Sequence, residues 1–242
     1  MVLAIVTFFL VLGVLIFFHE LGHFSVARLC GVQVQTFSLG FGPKLWSKKH
    51  GPTEYCISAF PLGGYVRMLG DDPTEEVSPE EKDRSFLAQS LGKKVAIVVA
   101  GPFFNLMLAF FIFSGVFMVG VPVLMPDVGV VEESGAAALG GIKQGDRILK
   151  INEKPITQWE EIRETLQDNG GNPLRFTLLR KGAEQKLTIT PAEKSVKDLF
   201  GDEQSIWLIG IMPTGDHFIK RYNPFTALDM GLRRTVYMSE MN

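Results

Sequence analysis

Apolar residues are unevenly spread along this chain. Residues 2–18 (VLAIVTFFLVLGVLIFF) carry no charge. As a helix with 1.5 Å rise, about 18 residues cover roughly 27 Å, close to the thickness of a bilayer's hydrocarbon. A second run, residues 95–125, follows Lys93-Lys94 and is broken only by Gly101-Pro102 and Asn105. At about 30 residues it is long enough to cross once with tilt. An amide in hydrocarbon is costly without a partner, so Asn105 is expected to face protein or water.

Elsewhere the pattern changes. Val32-Gln33-Val34-Gln35 alternates, Gly40-Phe41-Gly42-Pro43 breaks the chain, and Tyr55-Cys56-Ile57 resumes an extended pattern. Pro61-Leu62-Gly63-Gly64-Tyr65-Val66 then mixes close-approach glycines with strand formers, which predicts a small sheet beside the end of the first span. Residues 71–83 (DDPTEEVSPEEKD) are acidic and contain prolines, and read as a solvated linker.

From residue 126 onward a compact mixed α/β region is predicted. Val128–Val131 and Arg147–Asn152 are strand-like, and Thr157-Gln158-Trp159-Glu160 reads as a capping box opening a helix. Trp159, Ile162 and Leu166 fall on one face of that helix. Leu174–Arg180, a Lys181-Gly182 turn and Gln185–Thr190 predict a hairpin, and Trp207–Ile211 a further strand.

Charge and cysteine content narrow the function. A net charge of -2 leaves no basic excess to neutralise phosphates, so nucleic acid is excluded as a partner. Two cysteines, Cys30 and Cys56, are too few for a disulfide framework. The first apolar run lacks the positive n-region and the small-residue cleavage site of a signal peptide, so it reads as a membrane helix. No Lys or Arg precedes it, whereas nine, from Arg28 to Lys94, lie between the two runs. The loop 28–94 is therefore expected on the cytoplasmic side, and residues 126 onward on the outer side.

The sharpest chemical signal is His19-Glu20-Leu21-Gly22-His23, at the far end of the first apolar run. Residues four apart share a helix face, so both imidazoles can bind one zinc ion while Glu20 serves as general base. Ionisable groups at this depth are costly, and metal ligation offsets that cost.

Two resemblances follow from these motifs. Glu133-Ser134-Gly135-Ala136-Ala137-Ala138, with Gly141 to Asn152 (GIKQGDRILKIN), resembles the core signature of PDZ domains in bacterial envelope proteases. Such domains bind extended peptides or C-termini at a sheet edge. The whole chain resembles the site-2 protease family of intramembrane zinc metalloproteases, of the bacterial regulator-of-sigma-E type. Its motifs come in the family's order: the zinc motif, the Gly40–Pro43 and Pro61–Val66 loop, Ala100-Gly101-Pro102-Phe103-Phe104-Asn105, and the PDZ region.

The resemblance implies a membrane protein with α-helical spans, a small re-entrant β-sheet and a mixed α/β PDZ domain. It implies His19 and His23 as Zn2+ ligands and Glu20 as the catalytic base. Asn105, Gly63, Gly64 and Tyr65 are implied as substrate-binding, with the loop Val32–Met68 receiving substrate as an added strand. The expected division is span 1–27, re-entrant loop 28–70, linker 71–94, span 95–125, PDZ domain 126–192, and its C-terminal part with an amphipathic helix, 193–242. Implied partners are the bilayer of a bacterial inner membrane and membrane-embedded substrates, such as an anti-sigma factor or remnant signal peptides. A peptide or C-terminus on the PDZ domain is also implied.

The family takes its third zinc ligand from an Asp in a later span. Asn223 to Gly231 (NPFTALDMG) mimics that pattern superficially, but Lys220-Arg221 and Arg233-Arg234 flank it and no apolar run surrounds it. It reads instead as an amphipathic helix with Asp229 in water. The third ligand is thus expected beyond residue 242, and the chain alone is expected not to sustain efficient hydrolysis. His50 and His217 read as surface residues. The competing expectation is a non-catalytic membrane adaptor that uses only its PDZ region.

Overall fold

A computed structural model describes residues 2–197 and 203–240. The chain divides into two units, residues 1–115 with 224–242, and residues 116–223.

The first unit is built on two apolar helices, α1 (Val2–Leu29) and α2 (Leu91–Val119), each long and apolar enough to cross a membrane. The first ten described residues of α1 are exposed, and it buries only Gly22 and Ala27. Gly31, in the left-handed region at φ 84°, ends this helix. The N–H of Val32 returns to the Ala27 carbonyl at 2.9 Å, satisfying a terminal acceptor. The second helix ends earlier than the apolar run. Gly120 (φ 122°) stops it, and Val121–Leu124 form strand β3 rather than the end of a span to residue 125. The β-branched Val121 and Val123, with Pro122 lacking an N–H, suit a short edge strand better than a last helical turn.

Between the helices lie β1 (Val34–His50) and β2 (Thr53–Met68). They pair as a hairpin from Lys44–Ser58 to His50–Thr53 and again from Val34–Met68 to Leu39–Gly64. Residues Thr36 to Leu39 also pair with Glu54 to Ile57, so this stretch has neighbours on both sides. The stretch 63–68 has a partner on one side only among the described residues. Gly40-Phe41-Gly42-Pro43 does not end the strand as the sequence suggested. Gly40 (φ 89°) and Gly42 (φ 85°) bend it through a run of register shifts, because glycine accepts these angles without Cβ strain.

Ala27, Val32, Val34, Met68 and Ile97 form the core that joins helices and sheet, flanked by Phe24, Val66 and Phe86. Burying a Val, Ile or Met side chain contributes roughly 1.5–3 kcal/mol, so this small cluster holds the sheet against the ends of both helices. The acidic segment after it is tied down more than a free linker. Glu75 accepts bonds from Gln35 Nε2 (2.8 Å) and Gly70 N–H (2.9 Å), and Lys82–Arg84 make a 3-10 turn. A carboxylate meeting a free backbone donor is the local reason.

The two small helices of the second unit are α3 (Ala136–Leu139) and α4 (Trp159–Asp168), and the helix α5 (Pro224–Glu240) completes the first unit. Along α5, Ala227, Gly231 and Thr235 are buried, with Gly231 against Ser114 of α2. On its outer face Arg233 bonds Asp229 at 2.8 Å, and both are exposed, as the sequence implied for Asp229.

The second unit adds strands β4 (Val128–Val131), β5 (Arg147–Ile151), β6 (Lys154–Pro155), β7 (Leu174–Arg180) and β8 (Ala183–Ile189). After them come β9 (Ala192–Lys197), β10 (Glu203–Leu208), β11 (Ile211–Pro213) and β12 (His217–Lys220). A four-stranded sheet in the order β6-β5-β7-β8 packs Ile148, Ile151, Phe176 and Leu178 into the core with Ile162 and Leu166 of α4. The predicted Trp207–Ile211 strand is split at Gly210 (φ 77°) between β10 and β11. The capping box is displaced by one residue. Glu161, not Glu160, accepts from the N–H groups of Thr157 (2.7 Å) and Gln158 (3.3 Å), while Glu160 pairs with Arg163. Helix α4 starts at Trp159, which makes Glu161 its third residue, the position that reaches back to the cap.

One buried ion pair stands in this core. Arg180 holds both oxygens of Asp146 at 2.7 and 2.6 Å, and the Lys143 N–H donates to the same carboxylate at 2.8 Å. Burial pushes the Asp146 carboxyl upward. The Arg180 and Lys143 hydrogen bonds outweigh that and hold it below the usual carboxylate range.

Candidate metal centre

Helical spacing turns His19 and His23 to one side of α1, and the structure brings their Nε2 atoms to 3.2 Å. Nitrogens at this distance share either a proton or a metal. Two imidazoles on a tetrahedral zinc, with Zn–N of about 2.0–2.1 Å, stand about 3.3 Å apart. The spacing of the pair matches that of two imidazoles on one zinc.

Helix α2 presses on this face. An added Cβ on Gly22 would run into the Ala100 carbonyl, with its carbon at 2.8 Å. On α2, a Cβ at Gly101 would meet both imidazoles, at 2.7 Å from His23 Cε1 and 2.8 Å from His19 Cε1. Two glycines thus let the helix backbones close over the rings. The Ile97 carbonyl lies 2.7 Å from His23 Nδ1 and accepts a proton there, which leaves Nε2 with its lone pair free. Asn105, one turn beyond Gly101, brings its amide nitrogen to 3.4 Å from His19 Nδ1.

Glu20 follows His19 and turns toward the sheet. A Cβ on Gly64 would stand 2.9 Å from Glu20 Cγ and 2.8 Å from the Ser38 carbonyl. Glycine here allows the one-sided strand 63–68 to run directly past the Glu20 side chain. The structure thus gathers His19, Glu20, His23, Asn105 and Gly64. It does not bring Gly63 and Tyr65 to the histidines. Gly63 lies under the Phe41 ring, and Tyr65 stacks on Phe41 at 6.1 Å and 12°. His50 and His217 are exposed. Among the described residues, no cluster of three or more His, Cys, Asp and Glu side chains suited to a metal is present.

Sequence reasoning missed Gly22, Gly101 as a contact to the rings, and the Ile97 carbonyl. The glycines left a signal, since Gly22 stands one helical turn from His19 and Gly101 one turn from Asn105. A backbone carbonyl leaves none.

The second unit has its own concavity, a groove of about 570 Å³ between α4 and the stretch Leu208–Met212. Trp159, Ile162 and Leu166 form one wall, and Glu132, Arg163 and Lys194 stand among its polar lining.

Comparison with known proteins bears on both units. The family described as Peptidase family M50 matches residues 7–242. A protein of Agrobacterium fabrum, provisionally named a zinc metalloprotease, is 37% identical over 96% of this chain and 65% of its own length. Zinc metalloprotease RasP of Geobacillus kaustophilus is 30% identical over 86% of this chain and 66% of its length. Regulator of sigma-E protease RseP of Salmonella typhimurium is 29% identical over 91% of this chain and 70% of its length. The chain spans about two thirds of the length of these relatives. Among solved structures, the PDZ domain of an SdrC-like protein from Listeria monocytogenes covers 38% of the chain and 85% of that domain. Its identity is 17% and its TM-score 0.27.

Proposed function

Because this chain belongs to peptidase family M50, we propose that it is the larger part of a zinc metalloendopeptidase that cleaves substrates within the membrane. The observation that carries the reading is the convergence of His19 and His23 Nε2 to 3.2 Å on an apolar helix, with Glu20 beside a one-sided strand.

His19 and His23 would hold the metal through Nε2. Zinc bound there supplies an acidified water and a Lewis acid for the scissile carbonyl. Glu20 would act as the general base, its carboxylate accepting a proton from the attacking water and passing one to the leaving amine. The strand 63–68 offers its free edge to an extended substrate segment, whose backbone groups then pair with protein rather than with their own helix. That edge runs past Glu20 through Gly64, so a substrate strand added there would bring its peptide bonds close to the base. Asn105, Gly63, Gly64 and Tyr65 shape this receiving surface. Catalytic zinc uses three protein ligands and a water, of which His19 and His23 would be two.

The two apolar helices are membrane spans of a bacterial inner-membrane protein, with the loop 28–94 on the cytoplasmic side and the second unit outside. Substrates are single-span proteins, of the anti-sigma-factor or remnant-signal-peptide kind. The second unit acts as a PDZ domain whose groove binds an extended peptide or C-terminus beside Leu208–Met212.

The test is Glu20→Gln in the full-length protein, with a single-span substrate in detergent or liposomes. The glutamine keeps the shape and cannot accept a proton, so cleavage should disappear while bound zinc remains. Cleavage by the zinc-loaded variant at an unchanged rate would remove Glu20 from the mechanism. Peptide binding in the groove with no zinc and no cleavage in the unsubstituted protein would favour the adaptor.

A further inference from the structure

Zinc ligation by His19 and His23 through Nε2 constrains the side chain of Asn105. For His19 and His23 to share one metal, both Nε2 atoms must present lone pairs, and so both Nδ1 atoms must carry the protons. His23 satisfies this, because its Nδ1 lies 2.7 Å from the Ile97 carbonyl, which can only accept. His19 Nδ1 faces the amide nitrogen of Asn105 at 3.4 Å, which would set one donor against another. The amide oxygen of the same residue is buried and has no hydrogen-bond partner among the described residues. A buried acceptor left without a partner is costly.

A half-turn about the terminal torsion of Asn105 removes the clash of donors and gives the oxygen a partner, while the NH2 group takes the oxygen's former place. The oxygen and nitrogen of an amide are nearly isosteric, so the turn leaves the packing unchanged. It brings the orphan oxygen to the Nδ1–H of His19. We infer that Asn105 is a positioning residue that accepts the Nδ1 proton of His19, so that α2 orients both imidazoles, one through a side chain and the other through the Ile97 carbonyl. The inference rests on the zinc reading above and gives Asn105 a task distinct from contact with substrate. Gly101 and Asn105 then form one device on successive turns of α2. The glycine gives the rings room, and the amide selects the tautomer of the one that the backbone does not reach.

The experiment measures metal affinity in the purified protein by chelator competition for Zn2+, and the visible d–d spectrum of the Co2+-loaded form. Asn105→Leu keeps an apolar side chain of similar size in the span and removes the acceptor. Asn105→Asp keeps an acceptor at the same position. Loss of an outer partner of a metal-ligating histidine typically weakens metal binding about 10–100-fold. Asn105→Leu should show that loss with an altered Co2+ spectrum, and Asn105→Asp should restore both. Wild-type affinity and spectrum in Asn105→Leu would overturn the inference alone, as would equal weakening in the Leu and Asp variants. Failure of the unsubstituted protein to bind either metal would overturn both the inference and the zinc reading beneath it.

Discussion

Replacing Gly101 by alanine adds one methyl group between the two helices, and the structure says where it goes. The new Cβ would stand 2.7 Å from His23 Cε1 and 2.8 Å from His19 Cε1. Ordinary contacts begin near 3.4 Å, so the His19 ring must retreat by about 0.6 Å and the His23 ring further, because its Nε2 lies closer still to the added atom. The atoms met are side-chain atoms, which can rotate away, so the helices need not separate. Rotation, however, moves the Nε2 atoms off their shared point. Forcing a methyl into a packed site costs about 1–3 kcal/mol, which is roughly a 5- to 150-fold loss in an equilibrium constant. Gly101→Ala should therefore bind zinc about that much more weakly in chelator competition, while its thermal unfolding in detergent changes little. Gly22→Ala should behave differently. Its Cβ meets the backbone carbonyl of Ala100, which cannot rotate away, so both zinc binding and unfolding temperature should fall. Gly13→Ala and Gly115→Ala, with nothing within 4 Å of the added atom, serve as controls. Zinc affinity in Gly101→Ala equal to that of these controls would refute the packing argument.

Gly64→Val should lower cleavage sharply while zinc remains bound, because its branched side chain would push on Glu20 and the Ser38 carbonyl and not on the histidines; loss of zinc in step with activity would count against this division of tasks. In the second unit, Asp146→Ala leaves Arg180 without its counter-charge, holding only the Gly141 carbonyl, and should destabilise that unit by about 3 kcal/mol, read from its unfolding transition. The folded-state carboxyl of Asp146 titrates below its ordinary value of about 3.9. The stability it contributes is therefore fully present above that pH and is lost as pH falls through the lower folded value. The wild-type unit should hold its unfolding temperature from neutrality to about pH 4 on this account and lose it below, with a shallower acid limb in Asp146→Ala.

Much of the site was legible because its signals are local. His19 and His23 share a helix face by spacing alone, and Glu20 is adjacent in sequence, so no long-range information was needed to group them. Helix ends were less legible. The apolar run continues to residue 125, yet α2 stops at Val119 because Val121–Leu124 pair with His217–Lys220, almost a hundred residues later. Composition alone does not tell a short edge strand from a helix turn. The displaced capping box failed for a subtler reason, since Glu160 and Glu161 are both glutamates and only the true helix start decides which reaches back.

The sequence by itself determined the two apolar helices, the mixed character of the second unit and the pair of imidazoles, because helix period and hydrophobic length are properties of consecutive residues. The tertiary structure alone decided what surrounds those imidazoles. The Ile97 carbonyl, the closeness allowed by Gly22 and Gly101, the strand beside Glu20 and the unpaired oxygen of Asn105 all come from segments tens of residues away. Backbone groups are the same in every sequence, and only packing can aim one at a particular ring nitrogen.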